Sequence, residues 1–208
     1  MEKAAVIPTL EFWYDFASPY SYIAALRVEQ LTSAANVGIC RRPFLLGPIF
    51  KRRSGGASPF QNPAPSEQRY RRRDVERICQ RFDLPLRWPS AYPRGSLLAT
   101  RIALLAADEG WCSQFTQSVF HANFAEDRSI SSEAVVRELL AELGRDADAI
   151  LAKATSEALK TRLMDQVDAA ISQDIFGAPS FVIGGELFWG SDRLDQAIEW
   201  ATQRPSLI

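Results

Sequence analysis

The hydrophobic pattern at the start of the chain predicts a strand, a helix and a second strand. Residues 7–16 (IPTLEFWYDF) are rich in β-branched and aromatic side chains, which is typical of a strand. Ser18 and Pro19 then precede apolar positions at helical spacing, and serine followed by proline is a strong signal for the start of a helix. Residues 37–46 (VGICRRPFLL) predict another strand. Two strands joined by one helix make a β-α-β unit, whose strands are expected to be parallel.

The centre of the chain has helical periodicity. A stretch rich in proline and glycine, residues 51–66, predicts a loop, and the pattern then stays helical as far as residue 173. The expected helices span residues 66–82, 95–109, 111–123, 131–143 and 147–173.

Two further strands and a helix end the chain. Strands at residues 180–183 and 186–188 flank Gly184-Gly185, which predicts a two-residue hairpin turn. A helix over residues 191–202 follows, with Ser191 as its expected cap. Because the strands at either end are too few to bury a core alone, we expect them to complete one sheet. The central helices are then an insertion in that sheet domain.

Charge is distributed unevenly along the chain. Residues 1–40 carry 2 basic and 4 acidic side chains, residues 41–101 carry 14 and 4, and residues 102–208 carry 8 and 17, within a net charge of −1. A positive centre in a neutral protein calls for an anionic partner, or for the acidic part folding against it. The arginines at residues 69–77 have little aromatic interleaving and no accompanying nucleic-acid-binding motif, so we expect no nucleic-acid partner.

The composition argues against several classes of protein. No apolar run approaches the ~18–20 residues that span a bilayer, and the N-terminus lacks the layout of a signal peptide, so we expect a cytoplasmic protein with no membrane partner. Three widely spaced cysteines without a C-x-x-C motif predict neither a disulfide framework nor a metal site. The single histidine, His121, lies in a phenylalanine-rich stretch that predicts a buried helix face and a structural role.

Two short motifs flank the predicted sheet where its chemistry would lie. Ser18-Pro19-Tyr20-Ser21 occupies the turn from the first strand into the first helix, and Gly177-Ala178-Pro179 precedes the third strand. This order of elements, with a proline before the third strand, matches the thioredoxin plan, in which the first turn carries a C-x-x-C motif. Serine replaces both cysteines here, which excludes dithiol chemistry and a disulfide oxidoreductase.

Four stretches in a fixed order carry a more specific resemblance. They are Phe12-x2-Asp15-Phe16-x-Ser18-Pro19-Tyr20-Ser21-Tyr22, Arg42-Pro43-Phe44-Leu45-Leu46-Gly47-Pro48-Ile49-Phe50-Lys51, Phe176-Gly177-Ala178-Pro179 and Trp189-Gly190-Ser191-Asp192-Arg193. As a set they resemble the 2-hydroxychromene-2-carboxylate isomerases, which with the kappa-class glutathione transferases form a DsbA-like branch of the thioredoxin superfamily. The resemblance implies an α/β fold. Residues 1–50 and 174–208 would form a discontinuous thioredoxin-like domain, with residues 51–173 as a large all-helical inserted domain.

The resemblance also implies a glutathione cofactor. Ser18 at the helix start would donate a hydrogen bond to the thiolate and lower the pKa of the thiol. Ala178, before Pro179, which the fold resemblance implies is cis, would offer backbone N–H and C=O groups to the cysteinyl part. The γ-glutamyl end would be held by Trp189, Gly190, Ser191 and Asp192. The residues alone leave open a plainer role for the serines as ordinary helix caps.

On the substrate side the resemblance implies Lys51, Asn62 and Tyr92. Lys51 would pair with the carboxylate of a bound aromatic acid. The residues alone leave Lys51 open as one more solvated charge in the basic run 51–53. Some isomerases carry Asn-Ser where this chain has Gly95-Ser96, a departure that leaves the identity of the substrate open.

The implied activity is the glutathione-dependent cis-trans isomerisation of 2-hydroxychromene-2-carboxylate to trans-o-hydroxybenzylidenepyruvate, of the kind that serves bacterial breakdown of naphthalene-like aromatics. The implied partners are a small aromatic carboxylate and a second copy of the chain in a homodimer. Two alternatives remain. One is a kappa-type transferase that conjugates glutathione permanently to an electrophile, and the other is a non-catalytic glutathione-binding protein.

Overall fold

The computed structural model describes residues 7–54 and 64–203. Its strands are β1 (Thr9–Tyr14), β2 (Gly38–Pro43), β3 (Ser180–Ile183) and β4 (Glu186–Trp189). Its α-helices are α1 (Pro19–Ala34), α2 (Leu46–Ser54), α3 (Pro65–Arg81), α4 (Leu97–Asp108), α5 (Cys112–Phe124), α6 (Glu133–Glu142), α7 (Ala147–Ala154), α8 (Glu157–Ser172) and α9 (Leu194–Gln203), and a 3-10 turn spans Ser191–Arg193. None of the described helices is long and apolar enough to cross a membrane.

One mixed sheet joins strands from both ends of the chain, as the sequence predicts. The strand order is β2-β1-β3-β4, with β1 parallel to β2 and antiparallel to β3. Strands β3 and β4 form the predicted hairpin, in which Gly184 and Gly185 adopt φ values of +57° and +82°. Positive φ at both turn residues is the geometry that glycine adopts without steric cost.

The two faces of the sheet bury different clusters of side chains. Because neighbouring strand residues point to opposite faces, Phe12 and Tyr14 enter the larger core, while Trp13 enters a smaller one. The smaller cluster includes Phe44, whose ring meets the Trp13 ring edge-on at 5.8 Å, and Val167 of α8. Helix α8 therefore covers the second face of the sheet.

Aromatic side chains fix the end of β1 against the helical part of the chain. The ring of Phe120 on α5 lies 5.9 Å from that of Tyr14 and 4.9 Å from that of Phe16, and the rings of Tyr22 and Phe124 lie 5.3 Å apart. The larger core therefore continues from the sheet into the inserted helices. The four strands and helices α3 to α8 lie in the segments assigned to them, but the division into two domains stays a prediction.

Two predicted boundaries are wrong, and each has a local cause. The second strand ends at Pro43 rather than at residue 46, and α2 begins at Leu46, within the predicted strand and loop. The long helix predicted over residues 147–173 is two helices, because the Ser156 hydroxyl caps α8 by accepting a hydrogen bond from the Leu159 amide at 3.3 Å.

Two predicted side-chain environments are also wrong. The side chain of His121 is 50% exposed on α5, and its Nε2 lies 3.5 Å from a carboxylate oxygen of Glu126. The buried positions of that stretch belong to its phenylalanines. Ser191 does not cap the last helix. Gly190, at φ +114°, is the cap position of the 3-10 turn that precedes α9, and Ser191 is buried within that turn.

Candidate functional site

Ser18 lies at the start of α1, and its hydroxyl both donates and accepts a hydrogen bond. The residue is 8% exposed, and its backbone is extended at the N-cap position, with Pro19 as the first helical residue. Its Oγ accepts a hydrogen bond from the Ser21 amide at 3.2 Å and donates one to the Ala178 carbonyl at 2.9 Å. The hydroxyl proton therefore points at the backbone of the segment that precedes β3.

The remaining predicted glutathione residues adjoin this point. The Ala178–Pro179 peptide bond is cis, and the Pro179 carbonyl accepts a hydrogen bond from the Gly190 amide at 3.0 Å. The Trp189 indole crosses Gly177 so closely that a Cβ on Gly177 would lie 2.2 Å from the indole Nε1. The structure thus brings together Ser18, the segment 177–179 and the segment 189–192.

The end of β4 leads into this cluster through a position that requires glycine. Gly190 has φ +114°, and a Cβ there would lie 2.4 Å from Oδ1 of Asp192. Ser191 is buried, whereas the side chain of Asp192 is 69% exposed and lies 3.7 Å from Arg193. Asp192 is therefore open to a bound ligand.

The chemistry available at this cluster fits an anion better than a redox pair. The N-terminus of α1 carries the positive end of the helix dipole, while Pro19 has no N–H group and the Ser21 amide already donates to Ser18 Oγ. Ser21, at the second cysteine position of a C-x-x-C motif, is fully buried, and its Oγ has no hydrogen-bond partner among the described residues. The cysteines Cys40, Cys79 and Cys112 are free thiols elsewhere in the chain. A hydroxyl donor beside a helix N-terminus fits a thiolate supplied by a bound molecule.

A buried carboxylate beneath the turn was not among the predicted site residues. Asp15 is 4% exposed and accepts hydrogen bonds from the Ala17 amide at 2.8 Å, the Leu46 amide at 2.8 Å and the Ser96 hydroxyl at 2.9 Å. Burial raises the pKa of Asp15, and these three hydrogen bonds act in the opposite direction. Asp15 does occur in the motif that carries the family resemblance, which is the one sequence signal that points to it.

Tyr92 lies near the Asp15 carboxylate, in the segment that leads into α4. Its ring is 42% exposed and meets the Trp88 ring edge-on at 5.8 Å. Burial of the hydroxyl and the negative charge of Asp15 raise the pKa of Tyr92 to about 12, with Arg71 acting in the opposite direction. Tyr92 is therefore a protonated hydrogen-bond donor at neutral pH. The sequence pattern indicates Arg71 only as part of a basic helix, because periodicity does not reveal which arginine turns toward Tyr92.

The segment that contains Tyr92 is anchored by a buried arginine. Arg94 is 7% exposed, pairs with the Asp127 carboxylate, and donates to the carbonyls of Arg128 at 2.9 Å and Asp127 at 3.2 Å. It also contacts the Asn123 side chain at 3.2 Å, and Asn123 donates to the Phe16 carbonyl at 3.0 Å. Through this chain of contacts, the segment 88–96 is tied to the turn that carries the candidate nucleophile-binding serine.

Of the other two predicted substrate residues, Lys51 alone falls within the described part of the chain. Lys51 lies on α2 with an exposed side chain, and it forms no hydrogen bond or ion pair with the residues of 7–54 and 64–203. Asn62 lies outside the described residues. Helix α2 is nevertheless bound to the site, since its first amide, that of Leu46, donates to Asp15.

The fold and site define a thioredoxin-fold protein in which hydroxyls stand where the redox thiols would lie. The family described as a DSBA-like thioredoxin domain matches residues 9–199, so the chain belongs to that family. The prediction of a thioredoxin-like α/β fold with inserted helices is thereby confirmed.

Individual relatives include isomerases and a glutathione transferase. The chain is 26% identical over 187 residues to a 2-hydroxychromene-2-carboxylate isomerase of Sphingobium xenophagum, covering 90% of this chain and 94% of that protein. It is similar to a solved structure of a 2-hydroxychromene-2-carboxylate isomerase, with a TM-score of 0.84, 28% identity, and coverage of 94% of this chain and 95% of the other. It is also 24% identical over 208 residues to glutathione S-transferase kappa 2 of Caenorhabditis elegans, covering 93% and 92% of the two chains.

Proposed function

We propose that the protein catalyses the glutathione-dependent cis-trans isomerisation of 2-hydroxychromene-2-carboxylate to trans-o-hydroxybenzylidenepyruvate. The observation that carries the proposal is the Ser18 hydroxyl, 2.9 Å from the Ala178 carbonyl at the start of α1, in the position of a redox cysteine. The likeness to isomerases over nine-tenths of the chain supports the same reaction.

The residues fit glutathione through complementary backbone and side-chain groups. The Ala178 backbone lies beside Ser18 in the bend that precedes β3, where its N–H and C=O groups could pair with the cysteinyl backbone. Exposed Asp192 suits the ammonium of the γ-glutamyl end, and the amides of the 3-10 turn suit its carboxylate. The fully buried Ser21 hydroxyl, which has no hydrogen-bond partner within 7–54 and 64–203, is a further polar group at the helix start.

Ser18 would act by redirecting the hydrogen bond of its hydroxyl from one acceptor to another. In the structure its hydroxyl donates to the Ala178 carbonyl. Rotation about its side-chain bond would redirect the same proton to a sulfur atom at the N-terminus of α1, where the helix dipole favours negative charge. Glutathione, when bound, would supply a thiolate for reversible addition to the carbon–carbon double bond, so that, once the hemiketal C–O bond of the ring has opened, the resulting single bond can rotate and loss of the thiolate restores a trans double bond. The thiol is regenerated, so the net reaction consumes no glutathione.

Tyr92 and Lys51 would hold the substrate. With its pKa raised to about 12, Tyr92 remains protonated and can donate to an oxygen of the substrate at neutral pH. Lys51, exposed on α2, would supply a positive charge for the carboxylate. Asn62 belongs to the same proposal through the family resemblance.

The test is an absorbance assay of 2-hydroxychromene-2-carboxylate with and without a catalytic amount of glutathione, while free thiol is counted. We expect approach to equilibrium that requires glutathione and leaves free thiol unchanged. An absence of acceleration in a protein that binds glutathione would refute the proposal.

A kappa-type transferase is the second candidate, favoured by the likeness to glutathione S-transferase kappa 2 and by Gly95 at a position where some isomerases carry asparagine. Only this activity consumes free thiol in proportion to product, so the same thiol count distinguishes the two reactions.

The proposal also includes a cytoplasmic location and a homodimer. A mechanism that depends on a reduced thiol suits the cytoplasm, where glutathione is kept reduced. The family resemblance adds a homodimer, for which sedimentation equilibrium is the direct measurement. A monomer at micromolar concentration would exclude this part alone.

A further inference from the structure

Three helix starts converge on the carboxylate of Asp15. Oδ1 accepts from the Ala17 amide, immediately before the cap of α1, and from the hydroxyl of Ser96, the cap residue of α4. Oδ2 accepts from the amide of Leu46, the first residue of α2. The Ser96 hydroxyl makes no capping hydrogen bond to α4, because it is directed to Asp15 instead. One side chain therefore joins segments that lie up to 81 positions apart in the sequence.

Burial of the Asp15 carboxylate costs more free energy than a purely structural contact requires. Asp15 is 4% exposed and forms no ion pair with the described part of the chain. A buried carboxylate without a counter-ion is expensive, whereas a neutral side chain could fill the same space. All three neighbours are donors, so only a group that accepts at both oxygens satisfies them. The requirement is thus for three simultaneous hydrogen bonds in a fixed geometry.

The three segments are those that carry the proposed catalytic and substrate residues. The turn after β1 carries Ser18, α2 carries Lys51 at its second turn, and the segment that ends at Ser96 carries Tyr92. Leu46 and Lys51 are separated by about 7.5 Å along the helix, at about 1.5 Å per residue. Fixing the start of α2 therefore fixes where Lys51 stands.

We propose that Asp15 is a positioning residue that holds the substrate-binding segments in a set position relative to the thiol-activating turn. It would act through Leu46 on α2 and through Ser96 on the segment of Tyr92, without touching the substrate. This inference rests on the proposed function, since it concerns where the substrate is held relative to Ser18.

The Ser96 contact can be removed without unfolding the site. Ser96→Ala deletes one hydrogen bond to Asp15 and leaves those from the Ala17 and Leu46 amides. Helix α4 stays in the core through buried Ile102 and Ala103, and Arg94 still anchors the preceding segment. A matched control is Thr32→Val, which removes another buried hydroxyl, one that donates to the Val28 carbonyl at 2.7 Å in the last turns of α1.

The experiment measures kcat and KM for 2-hydroxychromene-2-carboxylate, together with glutathione affinity, in the wild type and both variants. We expect Ser96→Ala to raise KM about tenfold, the equivalent of one hydrogen bond to a charged group. Glutathione affinity and kcat should stay within about twofold of the wild-type values. Asp15→Asn replaces one acceptor oxygen with an NH2 donor, which removes the hydrogen bond from the Leu46 amide and the negative charge that strengthens the other two, and should lower kcat/KM by about a hundredfold. Thr32→Val should leave all three quantities at wild-type values.

The outcomes separate this inference from the proposed function. An active wild type whose KM is unchanged in Ser96→Ala, or is raised equally in Thr32→Val, overturns the positioning role alone. An equal fall in kcat and glutathione affinity in Ser96→Ala also overturns it, since that pattern indicates general loosening of the fold. A wild type that binds glutathione without turnover overturns the proposed function, and the inference with it.

Discussion

Replacing Ser18 with alanine tests the proposed thiol activation most directly. A hydrogen bond to a charged group contributes about 1.5–3 kcal/mol, and one pKa unit corresponds to about 1.36 kcal/mol. Loss of the Ser18 hydroxyl should therefore raise the pKa of the bound glutathione thiol by roughly 1–2 units. Glutathione binding should weaken much less, because the Ala178 backbone and the 3-10 turn remain.

The pH dependence of the rate gives the sign of this effect. Below its pKa the thiol is protonated and unreactive, so the rate rises with pH through that pKa. In Ser18→Ala the rise should occur at higher pH, and turnover at neutral pH should fall roughly ten- to a hundredfold, as the pKa shift requires. Absorbance of the thiolate near its ultraviolet maximum, followed in a pH titration of the bound complex, measures the same pKa without turnover.

A second serine, Ser156, distinguishes the loss of thiol activation from the loss of a helix cap. Ser18→Ala also removes the N-cap of α1, at a cost of about 1 kcal/mol in the free energy of unfolding. Ser156→Ala removes the cap of α8, where the hydroxyl accepts from the Leu159 amide, and should cost about as much while leaving the thiol pKa unchanged. An unshifted thiol pKa in Ser18→Ala, or equal rate losses in the two variants, would refute the reasoning.

Three further substitutions probe the surroundings of the site. Gly177→Ala places a Cβ 2.2 Å from Nε1 of Trp189, so the half-exposed indole must move, and calorimetry should show weaker glutathione binding with little change in melting temperature. Arg71 pairs with Glu67 as Arg73 pairs with Glu76, but only the charge of Arg71 acts on Tyr92. Arg71→Ala should therefore raise KM for the carboxylate substrate about tenfold, whereas Arg73→Ala should not. Equal KM values would show that Arg71 does not face the substrate. Arg94→Met removes the buried guanidinium that pairs with Asp127 and donates to two carbonyls, and chemical denaturation should show a loss of stability larger than that of an exposed ion pair. A loss below about 1 kcal/mol, the range of exposed pairs, would contradict the proposed anchoring.

The elements that could be predicted from sequence are those specified by their own residues. Ser18 with Pro19 begins α1 where expected, and Gly184-Gly185 forms the expected hairpin, because capping and positive φ are local requirements. The meeting of Ser18 with Ala178 followed from the order of strands and from the family resemblance, since no local pattern links two positions 160 residues apart.

The features that could not be predicted depend on tertiary contacts. A phenylalanine-rich stretch does not reveal which side of α5 turns to solvent, so the sequence pattern predicts the wrong face for His121. Asp15 gives no sign in the sequence that its three donors come from three separate segments. The start of α2 at Leu46 was hidden by a strand-like apolar run, and the Asp15 carboxylate that accepts from its first amide is a tertiary partner.

The central place of β1 in the sheet has a consequence for the order in which the chain folds. β2 follows β1 after a single helix, so half of the sheet can pair early, during synthesis of the protein. β3, on the other side of β1, is translated only after the whole helical insertion, and such distant pairings form slowly. A ribosome-bound chain that ends before Ala178 therefore carries Ser18 without its carbonyl partner. Capture of glutathione would thus mark the last stage of maturation and report that the C-terminal hairpin has docked.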